Sequence, residues 1–334
     1  VQLPWPADKP FRILSIDGGG IRGILPAALL AEFENRHLGG RSAGDYFDMI
    51  AGTSTGGIIA LGLSIGMHAS DILKLYIEHG EAIFPPIQPP FRKLKSGFRF
   101  LHSLSRYQYE RAPLERELRR LFGDRLIGEA RCRLCIPAFD GFTEVHIFKT
   151  PHHPDFKLDW REEMVTAALA TSAAPTFFSV YRNGDRRFAD GGVWANNPVM
   201  VGLVDALSCY ALDRRQIQVL SLGCGESDMF ITERQVRLGG LWHWKEIISS
   251  AMRLAGQNAL GQAGLLVGRD HLVRIDAPLM PNDPIELDDY RRAKEVLPPL
   301  ARALADEFAA IVGKRFFTMP AESFQAYHGP RASA

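Results

Sequence analysis

The chain is poor in the features that commit a sequence to a special environment. It has four cysteines in 334 residues, too few for a disulfide scaffold, so a reducing, cytoplasmic setting is the simplest expectation. No run of about 18 uncharged apolar residues is present, so no transmembrane helix is expected. The opening Val1-Gln2-Leu3-Pro4-Trp5-Pro6 lacks a basic segment followed by an apolar one and does not read as a signal peptide. Excess charge of one sign is missing too. The formal net charge is +1, so the chain as a whole is not built to hold a nucleic acid polymer. What remains is an ordinary globular composition, 46% apolar and 23% charged, with length enough for a sizeable core.

The hydrophobic pattern alternates between short apolar runs and longer helical ones. Strands are predicted at 11–16, 48–51, 131–138, 143–149, 217–222 and 271–276, with a short one at 187–189. Helices are predicted over 24–37, 54–65, 70–83, 109–122, 161–170, from Pro198 onward, and over 240–263 and 289–311. Strands alternating with helices argue for an α/β layered fold with a mainly parallel sheet. No internal repeat or linker is visible, so a single domain over 1–334 is expected. Residues 84–108 differ in character, holding four prolines and then a basic and aromatic run, and predict a surface loop.

Two glycine-rich segments follow the first two strands. Asp17-Gly18-Gly19-Gly20-Ile21-Arg22-Gly23 fits the G-x-G-x-x-G spacing of dinucleotide sites. That reading also needs an acid ending the second strand, roughly 20 residues on. The second strand runs instead into Gly52-Thr53-Ser54-Thr55-Gly56-Gly57. The glycine loop then suits an oxyanion hole, with backbone amides close to a developing negative charge and the following helix adding its positive end. Arg22 could hold the loop or add charge.

Gly52 to Gly56 fits G-x-S-x-G between a predicted strand and a predicted helix, the setting of a nucleophile elbow. The small residues permit the tight turn that lifts the Ser54 hydroxyl, and the Thr55 amide is a natural oxyanion donor. Ser54 as a plain helix cap is the alternative. A serine needs a general base. Asp190-Gly191-Gly192 ends a short strand, and burial would raise a carboxyl there toward useful basicity. Taken alone, that feature favours an ordinary Asp-Gly turn. The order Ser, Asp, His would also admit His243 or His271 as a triad member, although both sit in settings that favour a structural role.

Together these segments resemble the patatin-like phospholipase family. Ala170-Thr171-Ser172-Ala173-Ala174-Pro175-Thr176-Phe177-Phe178, Asn196-Asn197-Pro198 and Leu287-Asp288-Asp289 are similar to further family segments, extending the likeness over roughly residues 11–310. The resemblance implies a three-layer α/β/α fold related to α/β-hydrolases. It implies a Ser-Asp dyad with Ser54 as nucleophile and Asp190 as base, and an oxyanion region of Gly18, Gly19, Gly20 and Arg22. It implies lipid acyl ester substrates with no metal or cofactor. Similar compact bacterial proteins include antiphage effectors activated by cyclic nucleotides, so a hydrolase held inactive until such a signal binds is the alternative function. A homo-oligomer is compatible with either.

Within 91–111, Arg92, Lys93, Lys95, Arg99, Arg106 and Arg111 are interleaved with aromatic residues. That mixture suits an anionic bilayer surface or a lid, and so peripheral membrane association. A solvated loop is the competing reading. Cys132 and Cys135, three apart in a strand, should point to opposite faces and not form a zinc site.

Overall fold

The computed structural model describes residues 1–85, 108–141, 144–175, 177–227, 247–279 and 285–332. A mixed sheet forms the middle layer. Its strands are β1 (Phe11–Ile16), β2 (Met49–Gly52), β3 (Arg133–Asp140), β4 (Glu144–Lys149), β5 (Tyr181–Asn183), β6 (Arg186–Asp190), β7 (Ile217–Leu222) and β9 (Leu272–Ile275). They run in the order β5-β6-β3-β2-β1-β7-β9, with β4 also on β3. The β2-β1, β1-β7, β7-β9 and β2-β3 pairs are parallel. The β3-β4, β3-β6 and β5-β6 pairs are antiparallel. A separate two-stranded ladder joins β8 (Glu226–Ser227) to β10 (Pro278–Leu279).

The longer helices are α1 (Ile24–Phe33), α2 (Thr55–Ser64), α3 (Ala69–Ile83), α4 (Ala112–Phe122), α5 (Met164–Thr171), α6 (Val199–Cys209), α7 (Ile247–Val267) and α8 (Tyr290–Phe316). Strand alternation shows why there are three layers. In β1, Leu14 and Ile16 join one core with α1, α2, α3, α5 and α8, whereas Phe11 and Ile13 join a second core with α6 and α7. In β7, Leu220 and Leu222 face the first core, and Ile217 and Val219 the second. The three-layer, mainly parallel α/β/α expectation is met. Cys132 and Cys135 fall in different cores, as their spacing predicts.

Element boundaries differ in a few places. The helix predicted to reach His37 leaves α geometry after Phe33 and finishes as a π turn, Glu34–Leu38. Helix α3 begins at Ala69, where the Glu34 carboxylate accepts the Ala69 amide at 2.9 Å, so Ser70 lies inside it. Helix α8 runs on to Phe316 through Pro298 and Pro299. Among the described residues, no helix is long and apolar enough to cross a membrane. The basic and aromatic run from Arg92 to Arg106 lies outside the described residues, as do His243 and the helix start predicted at 240.

The end of β2 meets the end of β6. Along one edge, β3 pairs with β4 from Cys135 to Asp140. A strand has two edges, so β2, on Arg133 to Cys135, and β6, on Ala138 to Asp140, share the other. β2 runs parallel to β3 and β6 antiparallel, so their carboxyl ends point at each other across the gap at Ile136 and Pro137. Ser54 follows the first end, and Asp190 is the last residue of the second.

Candidate active site

The turn after β2 is tight enough to strain its serine. Ser54 has φ 55 and ψ −121, and it is the one non-glycine residue with positive φ among the described residues. Such a conformation costs about 1–3 kcal/mol and persists only when its surroundings impose it. The flanking glycines allow the approach. A Cβ on Gly52 would lie 2.2 Å from the Gly56 carbonyl oxygen, and one on Gly56 would lie 2.2 Å from that of Ile16. Helix α2 starts at Thr55, so its positive end lies under the serine. Ser54 is an elbow rather than a cap, for its side chain accepts no amide of the helix.

Ser54 Oγ donates to Asp190 Oδ2 at 2.6 Å, and the Gly192 amide donates to Asp190 Oδ1 at 2.6 Å. Asp190 is buried, and both partners are neutral. Burial pushes its carboxyl up to about 6, against the downward pull of the hydrogen bonds from Ser54 and Gly192. A carboxylate titrating there is a far better base than one in water.

The glycine loop lies beside the pair, at the carboxyl end of the neighbouring parallel strand β1. Gly18 donates its amide to the Asn196 carbonyl at 2.9 Å, and Ile21 donates to the Leu287 carbonyl at 2.9 Å. The Gly18 amide is therefore committed, and this glycine supplies room. A Cβ on it would lie 2.6 Å from Asn196 Oδ1 and 3.3 Å from Ser54 Cβ. Gly20 turns with φ +57, under the Leu287 carbonyl. Among the described residues, the amides of Gly19, Gly20 and Thr55 have no hydrogen-bond acceptor. Those three N–H groups are the ones left to meet an anionic oxygen. Arg22 is half-buried and lines the same cavity. Asp17, ahead of the loop, is tied to Arg274 of β9 at 2.8 Å.

A cavity of about 490 Å³ opens over these groups. Ser54, Asp190 and the glycine loop stand in one part of its wall, and Ile58, Leu75, Phe84 and Phe178 supply apolar wall. Met252 and Gly256 of α7 also line it. A polar reacting centre joined to an apolar chamber fits an ester with a hydrocarbon arm.

His271 is not part of this centre. It ends a 3₁₀ turn, and its Nδ1 meets Gln218 Nε2 at 2.9 Å. Asn196 was legible only as part of a resemblance, yet its side chain lines the cavity beside Ser54. Its neighbour Asn197 is structural, accepting the Val199 amide at 3.0 Å to start α6. One further cluster among the described residues has metal-ligand chemistry. Ligand atoms of His152, Asp205 and Cys209 all lie within 4.8 Å of one another. The Lys149 ammonium, 2.6 Å from Asp205 Oδ2, already supplies the positive charge there.

The sequence model of the patatin-like phospholipase family matches residues 14–203. The chain belongs to this family. The match takes in the glycine loop, the elbow and Asp190. Among curated patatin-like relatives, the chain is 39% identical over 218 residues to a cGAMP-activated phospholipase of Vibrio cholerae, covering 62% of this chain and 61% of that one. It is 37% identical over 231 residues to a cGAMP-activated phospholipase of Escherichia coli, covering 65% and 63%. It is 31% identical over 271 residues to patatin-like protein 2 of Oryza sativa subsp. indica, covering 71% and 66%. The matches thus span 61% and 63% of the length of the two bacterial relatives.

Proposed function

We propose that the chain is a lipid acyl hydrolase that cleaves carboxylic esters of phospholipids. The observation that carries this reading is the 2.6 Å hydrogen bond from Ser54 to a buried carboxylate with no cationic partner among the described residues, set in the wall of a largely apolar cavity. Ser54 Oγ attacks the ester carbonyl as its proton passes to Asp190 Oδ2. The amides of Gly19, Gly20 and Thr55 receive the oxyanion, with Arg22 adding positive charge. Loss of one such donor typically costs about 3–4 kcal/mol of barrier. The leaving alcohol takes the proton back from Asp190. Water, deprotonated by Asp190, then attacks the acyl carbonyl, and Asp190 returns that proton to Ser54 Oγ as the fatty acid leaves. The Asn196 side chain lines the same cavity beside Gly18.

The test is labelling with a serine-reactive fluorophosphonate alongside release of fatty acid from phospholipid vesicles. Wild type labels and hydrolyses, whereas Ser54→Ala does neither. Retained turnover in Ser54→Ala would sink the mechanism.

A second reading is favoured by the bacterial relatives, both named as cGAMP-activated. In it the same site stays silent until a cyclic dinucleotide binds, as in an effector that degrades membrane lipid in antiviral defence. Labelling with and without cGAMP separates the two. Labelling that needs the nucleotide supports gating, and equal labelling removes it. Either reading brings the protein to a bilayer surface as a peripheral protein, which vesicle co-sedimentation checks directly.

A further inference from the structure

The serine elbow leaves one backbone group in an awkward place. The Ser54 N–H has left the β2 ladder and points away from α2, so it needs an acceptor from elsewhere. Thr171, the last residue of α5, provides it. Its Oγ1 accepts the Ser54 N–H at 3.0 Å and donates its own hydrogen to the Pro137 carbonyl at 2.6 Å. With the hydrogen spent on Pro137, a lone pair is left facing Ser54. Thr171 is fully buried.

The same residue also reaches the other member of the pair. The Thr171 carbonyl accepts the Gly191 N–H at 3.3 Å, and the Ala173 carbonyl accepts the Asp190 N–H at 2.9 Å. Pro137 lies in the gap on β3 between the ends of β2 and β6. The Thr171 hydroxyl fills that gap, where no ladder hydrogen bond can form. A Cβ on Gly57 would strike the Thr171 methyl at 2.8 Å, so the first turn of α2 is shaped around this side chain.

We propose that Thr171 is the positioning residue of the dyad, holding the strained Ser54 backbone by its hydroxyl and the Asp190 turn by its carbonyl, and so fixing the distance between them. This rests on the reading of Ser54 as nucleophile and Asp190 as base. Thr171 does not line the cavity and does not touch substrate. Its loss should therefore act on turnover and leave binding alone.

The test is a series at this position. Thr171→Val keeps the shape and removes both hydrogen bonds. Its kcat per folded molecule should fall by about 10–100-fold with KM changed by less than about threefold. Fluorophosphonate labelling should slow by the same factor. Thr171→Ser restores the acceptor and should return kcat to within about threefold of wild type. The acid limb of the Thr171→Val rate profile should move to higher pH, because a lengthened Ser54 hydrogen bond no longer pulls the Asp190 carboxyl down. Thr171→Cys keeps size with a weaker acceptor and should fall between the two, and it carries the test if the valine variant does not fold. A folded valine or cysteine variant with wild-type kcat, labelling rate and pH profile would overturn the proposal. A lowered melting temperature without any change in kcat would reduce Thr171 to a structural residue. A wild type that neither labels nor hydrolyses, with or without cGAMP, overturns the reading of Ser54 and this inference with it.

Discussion

Asp190 and Asp205 are equally hidden, each 3% exposed, yet they are opposite kinds of acid. Asp190 meets only neutral donors, the Ser54 hydroxyl and the Gly192 amide, and burial carries its carboxyl up to about 6. Asp205 faces the Lys149 ammonium at 2.6 Å and His152 Nε2 at 2.7 Å. Burial pushes Asp205 up as well, but the His152 hydrogen bond and the opposing positive charge outweigh it and hold the group at about 2. Burial holds His152 itself below its ordinary value. Its Nδ1 meets the Thr150 hydroxyl at 2.8 Å. The lasting charge opposite Asp205 belongs to Lys149. Depth alone does not make a base. Among the described residues, Asp190 has no formal positive charge at hydrogen-bond distance and Asp205 has one, and that difference sets the two carboxyls apart.

The largest effect expected from this contrast is on rate. Asp190→Asn should lower kcat for phospholipid hydrolysis by about 10⁴-fold or more, as loss of a member of such a unit does elsewhere. Asp205→Asn should leave kcat per folded molecule within about twofold, since it touches nothing in the cavity. A loss below tenfold in Asp190→Asn would remove its assignment as base.

Next comes the stability of the other acid. Lys149→Met strips Asp205 of its counter-charge while leaving it buried. Breaking a buried pair in this way costs about 3–5 kcal/mol. The lower end is expected, because the Lys149 side chain is 22% exposed. Urea unfolding at pH 7 measures it, and a cost under about 1 kcal/mol would show that solvent does the work assigned to Lys149.

The sign reverses at Asp190. Its folded carboxyl titrates at about 6 against an unfolded value near 3.8. The folded state therefore holds the proton more tightly, and ionisation above about pH 6 works against folding. Asp190→Asn should raise unfolding free energy by about 2–3 kcal/mol at pH 8, a gain that shrinks through the window from 6 to 3.8 and vanishes below it. Asp205, with its lowered carboxyl, contributes stability above its unfolded value near 3.8 that is lost as pH falls through about 2. Asp205→Asn should therefore destabilise at pH 7 and lose that penalty near pH 2. Parallel pH dependences for the two variants would break the comparison.

The smallest effect is the shape of the rate profile. Turnover should fall about tenfold for each pH unit below about 6, as the base is protonated. A midpoint at the ordinary carboxylate value would mean that water reaches Asp190 in the working enzyme.

The legibility of Ser54 and Asp190 in the sequence differed for a physical reason. Ser54 is marked locally, by a strand before it, a helix after it and glycines whose Cβ atoms would collide with backbone. Such constraints act within a few residues and leave a readable spacing. Asp190 carries no local mark beyond two following glycines, because its environment is made by β3 and by Ser54, far away in sequence. Resemblance to a family supplied what spacing could not. The same limit hid His152, Lys149 and Asp205, which converge from β4, the loop after it and α6. It also hid the commitment of the Gly18 amide to Asn196, a contact across 178 positions that divides the three glycines by task. Thr171 was visible as one letter of a segment similar to the family's, but its duty follows only from the gap opposite Pro137. The layered fold was legible almost throughout, since periodicity is a local property. The antiparallel strand β5, three residues long with a half-exposed pattern, was not, because so short a run has no period to detect.

The meeting of β2 and β6 end to end on β3 has a consequence for when reactivity appears. Ser54 and Asp190 are 136 residues apart, and contacts of such long reach are slow to form. A growing or stalled chain that ends before Asp190 carries a complete serine turn and nothing to take its proton. Under the proposed mechanism, the chemistry switches on only once β6 has run back against β3. Completion of the sheet is thus itself a safeguard, and a nick that freed β6 would silence the serine without altering any residue around it.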